Sequence, residues 1–597
     1  MPAIEIRPAA PTVPAGLLRA AERDEHTVRC GPWSLRLSDG RLDDVRFGSA
    51  RIVRGIRVVV RDEDWGTFET VGAVVEVEDR ALVVTGASAQ GGARVEWTLR
   101  AAFSDDALSV ALEARASTAL LRNRLGLIVL HGTESAGAPL VARHPDGTSD
   151  RGSFPDRIAP HQPAQDLAGL AWSADGVPVE LSLEGDVFET EDQRNWTDAS
   201  FKTYSTPLSR PFPVPVAAGE LVRQSLRIVC DGPPPSRIEA VSPALAVLRI
   251  GGAGHPLPEI RTSAASAPTE LRPAVRPALD PLIECDVRWA GWRRALHRAV
   301  EDAQGRPIDL RVVASTPEDV RAVLDELGDA PLTRLGVFAA VGHLSTPELL
   351  SEARRAAGAR GIEVVGGVRS HFTELNRGAD GLAHGDAPLA FSITPFMHDR
   401  SGHQLIESIA VQRAVVRDAA AIARGRRLLL GPITLGARMN AVSTSPFDPG
   451  SADIDRSGYG PHAVPGSTDE RQHAPELAAW VVGSLAALAV PPVASLAYFE
   501  QWGPRGLVGA EGLTAAGAVL EWAAALAGSS RLEVDAPGLV ALGAVSLAGR
   551  VVLLGNPRGS AVAVDPAGLD RWEVAGGAVG EPFVLEPGAA ARVRLTA

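Results

Sequence analysis

The chain has 597 residues, too many for one hydrophobic core when single domains hold roughly 100 to 250, so two or three domains are expected. Its 45% hydrophobic and 22% charged residues exclude wholesale disorder. The net charge of −13 is spread along the chain without a Lys/Arg-rich block, which excludes nucleic acid as an expected partner.

The first 26 residues carry prolines and charges where a secretory signal needs an apolar stretch of roughly 7 to 15 residues. Cys30, Cys230 and Cys285 show no CxxC spacing. Together these features predict a reducing, cytoplasmic setting without a disulfide framework. From about residue 27 to 230, segments such as "ARVEWTLRAAF" and "PVELSLEGDVFET" alternate apolar and polar residues between Gly, Asp and Pro turns. A period of two implies antiparallel strands with one buried face, and the spacing predicts a large β-sandwich. "DGPPPSR" (231–237) then reads as a stiff linker.

Beyond about 245 the pattern becomes strand then helix, repeated. Strands are predicted over 259–265, 282–289, 308–315, 333–340, 362–370, 389–395, 427–435 and 493–500. The stretches 316–328 and 346–361 open with Thr-Pro and end at Gly, as helices do. Eight such units predict a closed (β/α)8 TIM-type barrel. The open doubly wound alternative lacks both a GxGxxG turn and a Walker A loop. The uncharged run Leu477–Phe499 is close to membrane-spanning length, but Pro491-Pro492 divides it into a buried helix and a buried strand, and no membrane contact is expected. The last residues return to short strands. The predicted division is an N-terminal β-sandwich over 1–240, a catalytic barrel over 241–529 and a C-terminal β-domain over 530–597.

In such a barrel the site lies where the strands end. Those positions hold Glu374, Asn376 and Arg377 after the fifth strand, His398 and Asp399 after the sixth, and Arg438 and Asn440 after the seventh. The following loop carries Asp469, Arg471, Gln472 and His473, and the eighth strand runs into Tyr498, Glu500 and Arg505. Glu374 and Glu500 can divide acid and base roles, and the same pair suits a glycosidase. Pairing with Arg377 or Arg505 would instead make either one a brace. Asp286 stands evenly between the two roles. No GxSxG elbow occurs, which argues against a serine hydrolase. His398, Asp399 and His403 could approach a metal ion but lack HxH or HExxH spacing, so no metal and no cofactor are expected.

Rare residues supply a second signal. Lysine occurs once, tyrosine three times and asparagine five times, against 58 arginines. A lysine that survives such a bias suggests a position where a compact, titratable ammonium cannot become a guanidinium. That lysine, Lys202, lies in "EDQRNWTDASFKTY" (191–204) with Asn195, Trp196 and Tyr204.

"RDEDWGTFE", "FETEDQRNWTDASFKTYSTPL", "FTELNRG", "ITPFMHD", "DERQHAPELAAW" and "YFEQWGPRG" together resemble the bacterial D-apionate lactonase family over almost the whole chain. The resemblance implies a β-domain, a barrel and a small C-terminal domain. It also implies hydrolysis of D-apionolactone, a small-molecule sugar lactone, to D-apionate in D-apiose catabolism. Chemistry then suggests Glu374 or Glu500 as base, with the other carboxyl or His398 as acid. Lys202, Arg377 and Arg438 are candidates for the oxyanion and the product carboxylate. Asn195, Trp196, Tyr204, Asn376 and Gln472 are candidates for the ring hydroxyls. The alternatives are a glycoside hydrolase with accessory β-domains, weakened because the fourth strand ends without a carboxylate, and a non-catalytic sugar-binding protein. Oligomeric state is left open.

Overall fold

The computed structural model describes residues 3–236, 245–358, 360–382, 385–546, 549–565, 572–574 and 582–595. In the N-terminal region antiparallel strands form two sheets. The first has ten strands, with Ala50–Asp62 beside Leu120–Gly132, followed outward by Ser200–Tyr204 and Phe188–Asp192. The second has nine and runs from Ser149–Ser153 at one edge to Glu69–Glu78 at the other. Trp33, Phe47, Leu99, Phe154, Phe188 and Phe201 share one apolar core. Burying each such side chain contributes about 1.5–3 kcal/mol.

Val177–Glu184 alternates buried and exposed residues without a break, as a strand with one wet face should. Ala50–Asp62 departs from that pattern, because its sheet also packs against the barrel. Arg54 donates to Asp399 at 2.9 Å and to Glu407 at 2.6 Å, and Arg57 donates to Asp399 at 3.0 Å. Both acidic partners belong to the barrel, so this charged face is buried rather than solvated.

The barrel strands are β1 (Glu259–Ser263), β2 (Asp280–Asp286), β3 (Ile308–Ala314), β4 (Leu332–Ala339), β5 (Glu363–His371), β6 (Leu389–Ile393), β7 (Leu428–Ile433) and β8 (Val493–Trp502). They pair in order and in parallel, and β1 pairs with β8, which closes the barrel. β2 ends earlier than its apolar pattern suggests. The Asp286 carboxylate accepts the Arg288 backbone N–H at 3.2 Å and turns the chain. Helices open as their sequences dictate. Thr316 caps Pro317–Leu327 and Thr346 caps Pro347–Ala357, each through its hydroxyl.

Leu477–Leu488 is buried all round, because it lies between the barrel helix Gly402–Ala423 and the terminal sheet. Among the described residues no helix is long and apolar enough to cross a membrane. The terminal domain draws strands from both sides of the barrel. Arg249–Pro256 pairs with Ser530–Asp535, and Leu245–Val247 pairs with Val562–Asp565. Where the chain enters and leaves the barrel, the Leu257 N–H donates to Ser529 O at 2.9 Å and the Gly528 N–H donates to Leu257 O at 3.0 Å.

Candidate active site

A cavity of about 580 Å³ opens at the C-terminal ends of the barrel strands. Residues from the 439–467 segment, including Phe447 and Tyr459, form part of its wall, and Asp64 reaches it from the β-domain. Asp64 also holds that segment in place. Its carboxylate accepts the Thr444 N–H at 2.7 Å and the Ser443 hydroxyl at 2.9 Å.

Alternation along a strand sends Glu284 and Asp286 of β2 to one side, and likewise Arg369 and His371 of β5. Glu284 accepts from Arg438 at 2.8 Å and from Arg369 at 2.9 Å. Burial would raise its carboxyl, but the two guanidiniums hold it at about 2. Asp286 accepts from Arg288 at 2.6 Å and from Arg369 at 3.0 Å. Tyr459 closes the ring by donating its hydroxyl to Asp286 O at 3.1 Å.

Glu500 reaches the cavity through a bulge. Tyr498 opposes Thr262 and Glu500 opposes Ser263, which leaves Phe499 as the extra residue at φ 49°. The Glu500 carboxylate accepts the Ser266 hydroxyl at 2.7 Å, the Ser266 N–H at 2.9 Å and Arg505 Nε at 2.8 Å. Glu374 sits in a different setting. It caps its own helix, Phe372–Arg377, accepting the Ser370 hydroxyl at 2.9 Å and the His371 N–H at 3.1 Å. Burial raises its carboxyl.

The 191–204 segment, none of whose residues lines the cavity, forms a hairpin whose short turn, Gln193–Trp196, packs on the barrel. Lys202 Nζ lies 2.7 Å from Glu191 Oε2 and 4.6 Å from the Tyr204 ring centre. Burial would raise Glu191, but Lys202, His398 and Arg61 keep it below the ordinary carboxylate range. Burial lowers Lys202, and Glu191 offsets that only in part because Arg61 and Arg124 push the same way as burial. Tyr204 donates its hydroxyl to Glu189. Trp196 donates to Glu191 at 3.1 Å and stands 5.7 Å from the His398 ring and 5.8 Å from the His371 ring.

His398 is held by Asp198, whose Oδ2 lies 2.6 Å from Nδ1. His371 is buried with neither ring nitrogen hydrogen bonded, and burial brings it to about 3. It lies in electrostatic reach of Arg438, His343 and His398, so it stands between the cavity and the hairpin.

The other candidates are placed as follows. Asn376 Nδ2 donates to Asn195 Oδ1 at 2.9 Å across the domain boundary. Arg377 is exposed, donates to Pro160 O at 3.1 Å and lies 5.8 Å from the Trp196 ring centre. Gln472 is buried with its Nε2 unpartnered. Asp399 is engaged by Arg54 and Arg57, whereas His403 lies 3.3 Å from Glu25. Among the described residues no group of three or more His, Cys, Asp or Glu is gathered as for a metal ion. Sequence reasoning missed Glu284, Arg369, His371 and Asp198. Glu284 and Arg369 lie within strands rather than after them, His371 follows the expected fifth strand directly but carries no local sign of its burial, and Asp198 shows its partner only in three dimensions. Tyr459, also missed, carries the rarity signal already applied to Tyr204.

Two family profiles match in this order: the D-apionate lactonase N-terminal domain over residues 16–233 and the D-apionate lactonase TIM barrel domain over residues 258–531. The chain belongs to the D-apionate lactonase family. A curated D-apionate lactonase of Brucella anthropi is 28% identical over 468 residues, covering 71% of this chain and 74% of that protein. Among solved structures, a glycoside hydrolase family 30 xylanase from Clostridium acetobutylicum matches with TM-score 0.35 and 9% identity, over 59% of this chain and 98% of its own. A galactose mutarotase related enzyme from Lactobacillus acidophilus matches with TM-score 0.23 and 10% identity, over 36% of this chain and 99% of its own. At these TM-scores neither similarity bears on the chemistry of the lactonase-family site.

Proposed function

We propose that this member of the D-apionate lactonase family opens D-apionolactone to D-apionate in D-apiose catabolism, acting on a carboxylic ester bond. The observation that carries the reading is the match of both family domains in order, on a chain whose barrel mouth opens into a cavity where Glu284, Asp286, Arg369, Arg438 and Glu500 meet. Opening a lactone needs a group that takes a proton from water, cations or donors for the developing oxyanion, and a proton for the departing alkoxide. Arg438, which lines the cavity, and Lys202, in the hairpin, are the cations we assign to the oxyanion and the product carboxylate. Trp196 offers an apolar face for the ring. Glu500 and Glu374, already filled by donors from Ser266, Arg505, Ser370 and His371, are better suited to shaping the site than to taking a proton.

The test supplies D-apionolactone and aryl glycosides separately and follows acid release and aglycone release. Acid from the lactone alone is expected. Aglycone release without acid would instead support a glycosidase. The three cysteines are buried and joined by no disulfide, which suits the reducing cytoplasm we assign to the enzyme.

A further inference from the structure

His398 belongs to the barrel, whereas the carboxylate that orients it comes from the β-domain. Asp198 is buried, and each of its oxygens has a defined task. Oδ1 accepts the backbone N–H of His398 at 3.1 Å and of Asp399 at 3.2 Å, while Oδ2 faces His398 Nδ1 at 2.6 Å. A carboxylate accepts, so the ring hydrogen sits on Nδ1 and the lone pair on Nε2. Nε2 has no hydrogen-bond partner among the described residues, and the side chain is 15% exposed, which leaves water a route to it.

The backbone on either side of Asp198 is clamped. Gln404 Oε1 accepts the Ala199 N–H at 3.0 Å, and its Nε2 donates to Thr197 O at 3.2 Å and to Pro395 O at 2.9 Å. Thr197 adopts φ 73°, the left-handed turn that delivers Asp198 to the histidine. The Trp196 ring meets the His398 ring edge to face at 89° and limits its rotation.

We propose that Asp198 is the positioning residue that makes His398 the water-activating base of the lactonase. The inference rests on the lactonase reading above. In the step, His398 Nε2 takes a proton from water as the water oxygen bonds to the lactone carbonyl carbon. The ring C–O bond then breaks, and the leaving alkoxide takes the proton back from Nε2. The balance is lactone plus water to hydroxy acid, with no other reactant.

Burial, Arg61 and Lys202 favour the neutral ring, while Asp198 opposes them, and the net effect lowers His398 from its ordinary value. The charged and titratable groups that act on the ring are Asp198, Glu191 and Lys202 from the hairpin, Arg61 from Ala50–Asp62 and His371 from β5. A ring that is neutral at pH 7 is the state a base needs.

The experiment compares wild type, Asp198→Asn, His398→Gln and the double variant on D-apionolactone, and reads the ring tautomers by NMR of protein labelled with ¹⁵N-histidine. In Asp198→Asn the two backbone N–H groups keep the amide oxygen on their side, so the amide nitrogen faces Nδ1. The proton is then forced onto Nε2. Expected results are a kcat lower by about 100- to 10,000-fold with KM changed less than about threefold, a similar loss in His398→Gln, and no further loss in the double variant. The His398 signal should switch from the Nδ1–H to the Nε2–H form. A kcat within threefold of wild type in either single variant, additive losses, or an unchanged tautomer in Asp198→Asn would overturn the proposal. If Asp198→Asn does not fold, His398→Gln, which keeps the backbone contacts of Asp198, decides it alone. A wild type inert towards the lactone would refute the lactonase reading, while the tautomer would still report whether Asp198 sets the ring.

Discussion

Asn376 Nδ2 donates to Asn195 Oδ1 at 2.9 Å, joining the short helix after β5 to the β-domain hairpin between residues 181 positions apart. Asn376 also donates to Ile158 O at 3.0 Å, so its amide spans the boundary twice. Asn376→Ala removes both bonds and leaves a part-buried carbonyl and an amide oxygen unpaired. Stability should fall by about 1–2 kcal/mol in denaturant titration. If Asn376 contacts the substrate as well, KM rises beyond what stability explains.

The two glutamates should separate on substitution. Glu374→Gln keeps an acceptor for the Ser370 hydroxyl and the His371 N–H, so the helix cap survives. Activity within about threefold and stability within about 0.5 kcal/mol of wild type are expected for it. Glu500→Gln leaves the buried Arg505 guanidinium without its charge partner, a loss of about 3–5 kcal/mol, and should collapse the cavity wall and activity together. Thermal melts and kcat/KM for the pair check this.

Lys202 should tolerate neither of its two simplest replacements. Lys202→Met strands Glu191 in a buried setting, and its carboxyl should rise towards protonation as the ammonium leaves. Lys202→Arg keeps the charge, but a planar fork cannot reproduce the point contact with Glu191 over the Tyr204 ring. Losses in kcat/KM of about 100-fold and about 10-fold respectively are the expected order. An unimpaired Lys202→Arg would show that the rarity of lysine carries no chemical meaning here.

The seam between β-domain and barrel should be acid-labile. Burial would raise Glu407, but Arg54 and Arg51 hold it at about 2 against an ordinary 4.5. Asp399 is held well below the ordinary range by Arg57 and Arg54 despite burial. A depressed carboxyl contributes stability that is present above its unfolded pKa and lost as pH falls through the folded value. The Glu407 contribution should therefore be constant above about pH 5 and vanish between about 4.5 and 2. Melting temperature against pH, for wild type and Arg54→Met, measures it. The variant should be less stable at pH 7 and lose less on acidification.

The barrel is legible in the sequence because most of its strands are short apolar runs closed by Gly, Pro or a Thr-Pro helix start. Such local signals survive without knowledge of neighbours. The face of Ala50–Asp62 that carries Arg54 and Arg57 looks solvated in one dimension, since nothing nearby announces Asp399 and Glu407 some 350 positions away. The site divides in the same way. Glu500 and Lys202 stand out by strand position and rarity, whereas Glu284, Arg369 and Asp198 matter through partners that only the fold supplies. Arg249–Pro256 gives no sign of its partner either, because a strand pattern does not reveal what pairs with it.

That last pairing changes what a truncation means. Chain flanking the barrel on both sides builds one sheet, and Leu257 and Ser529 hydrogen bond where the barrel begins and ends. The barrel is thus an insert carried within the terminal domain, attached through two adjacent strands of chain. A cut after residue 530 would strip Arg249–Pro256 of its partner, whereas a cassette exchanged between 257 and 529 would leave the host sheet intact. Deletion mapping that trims from the C-terminus will therefore report the loss of two domains at once.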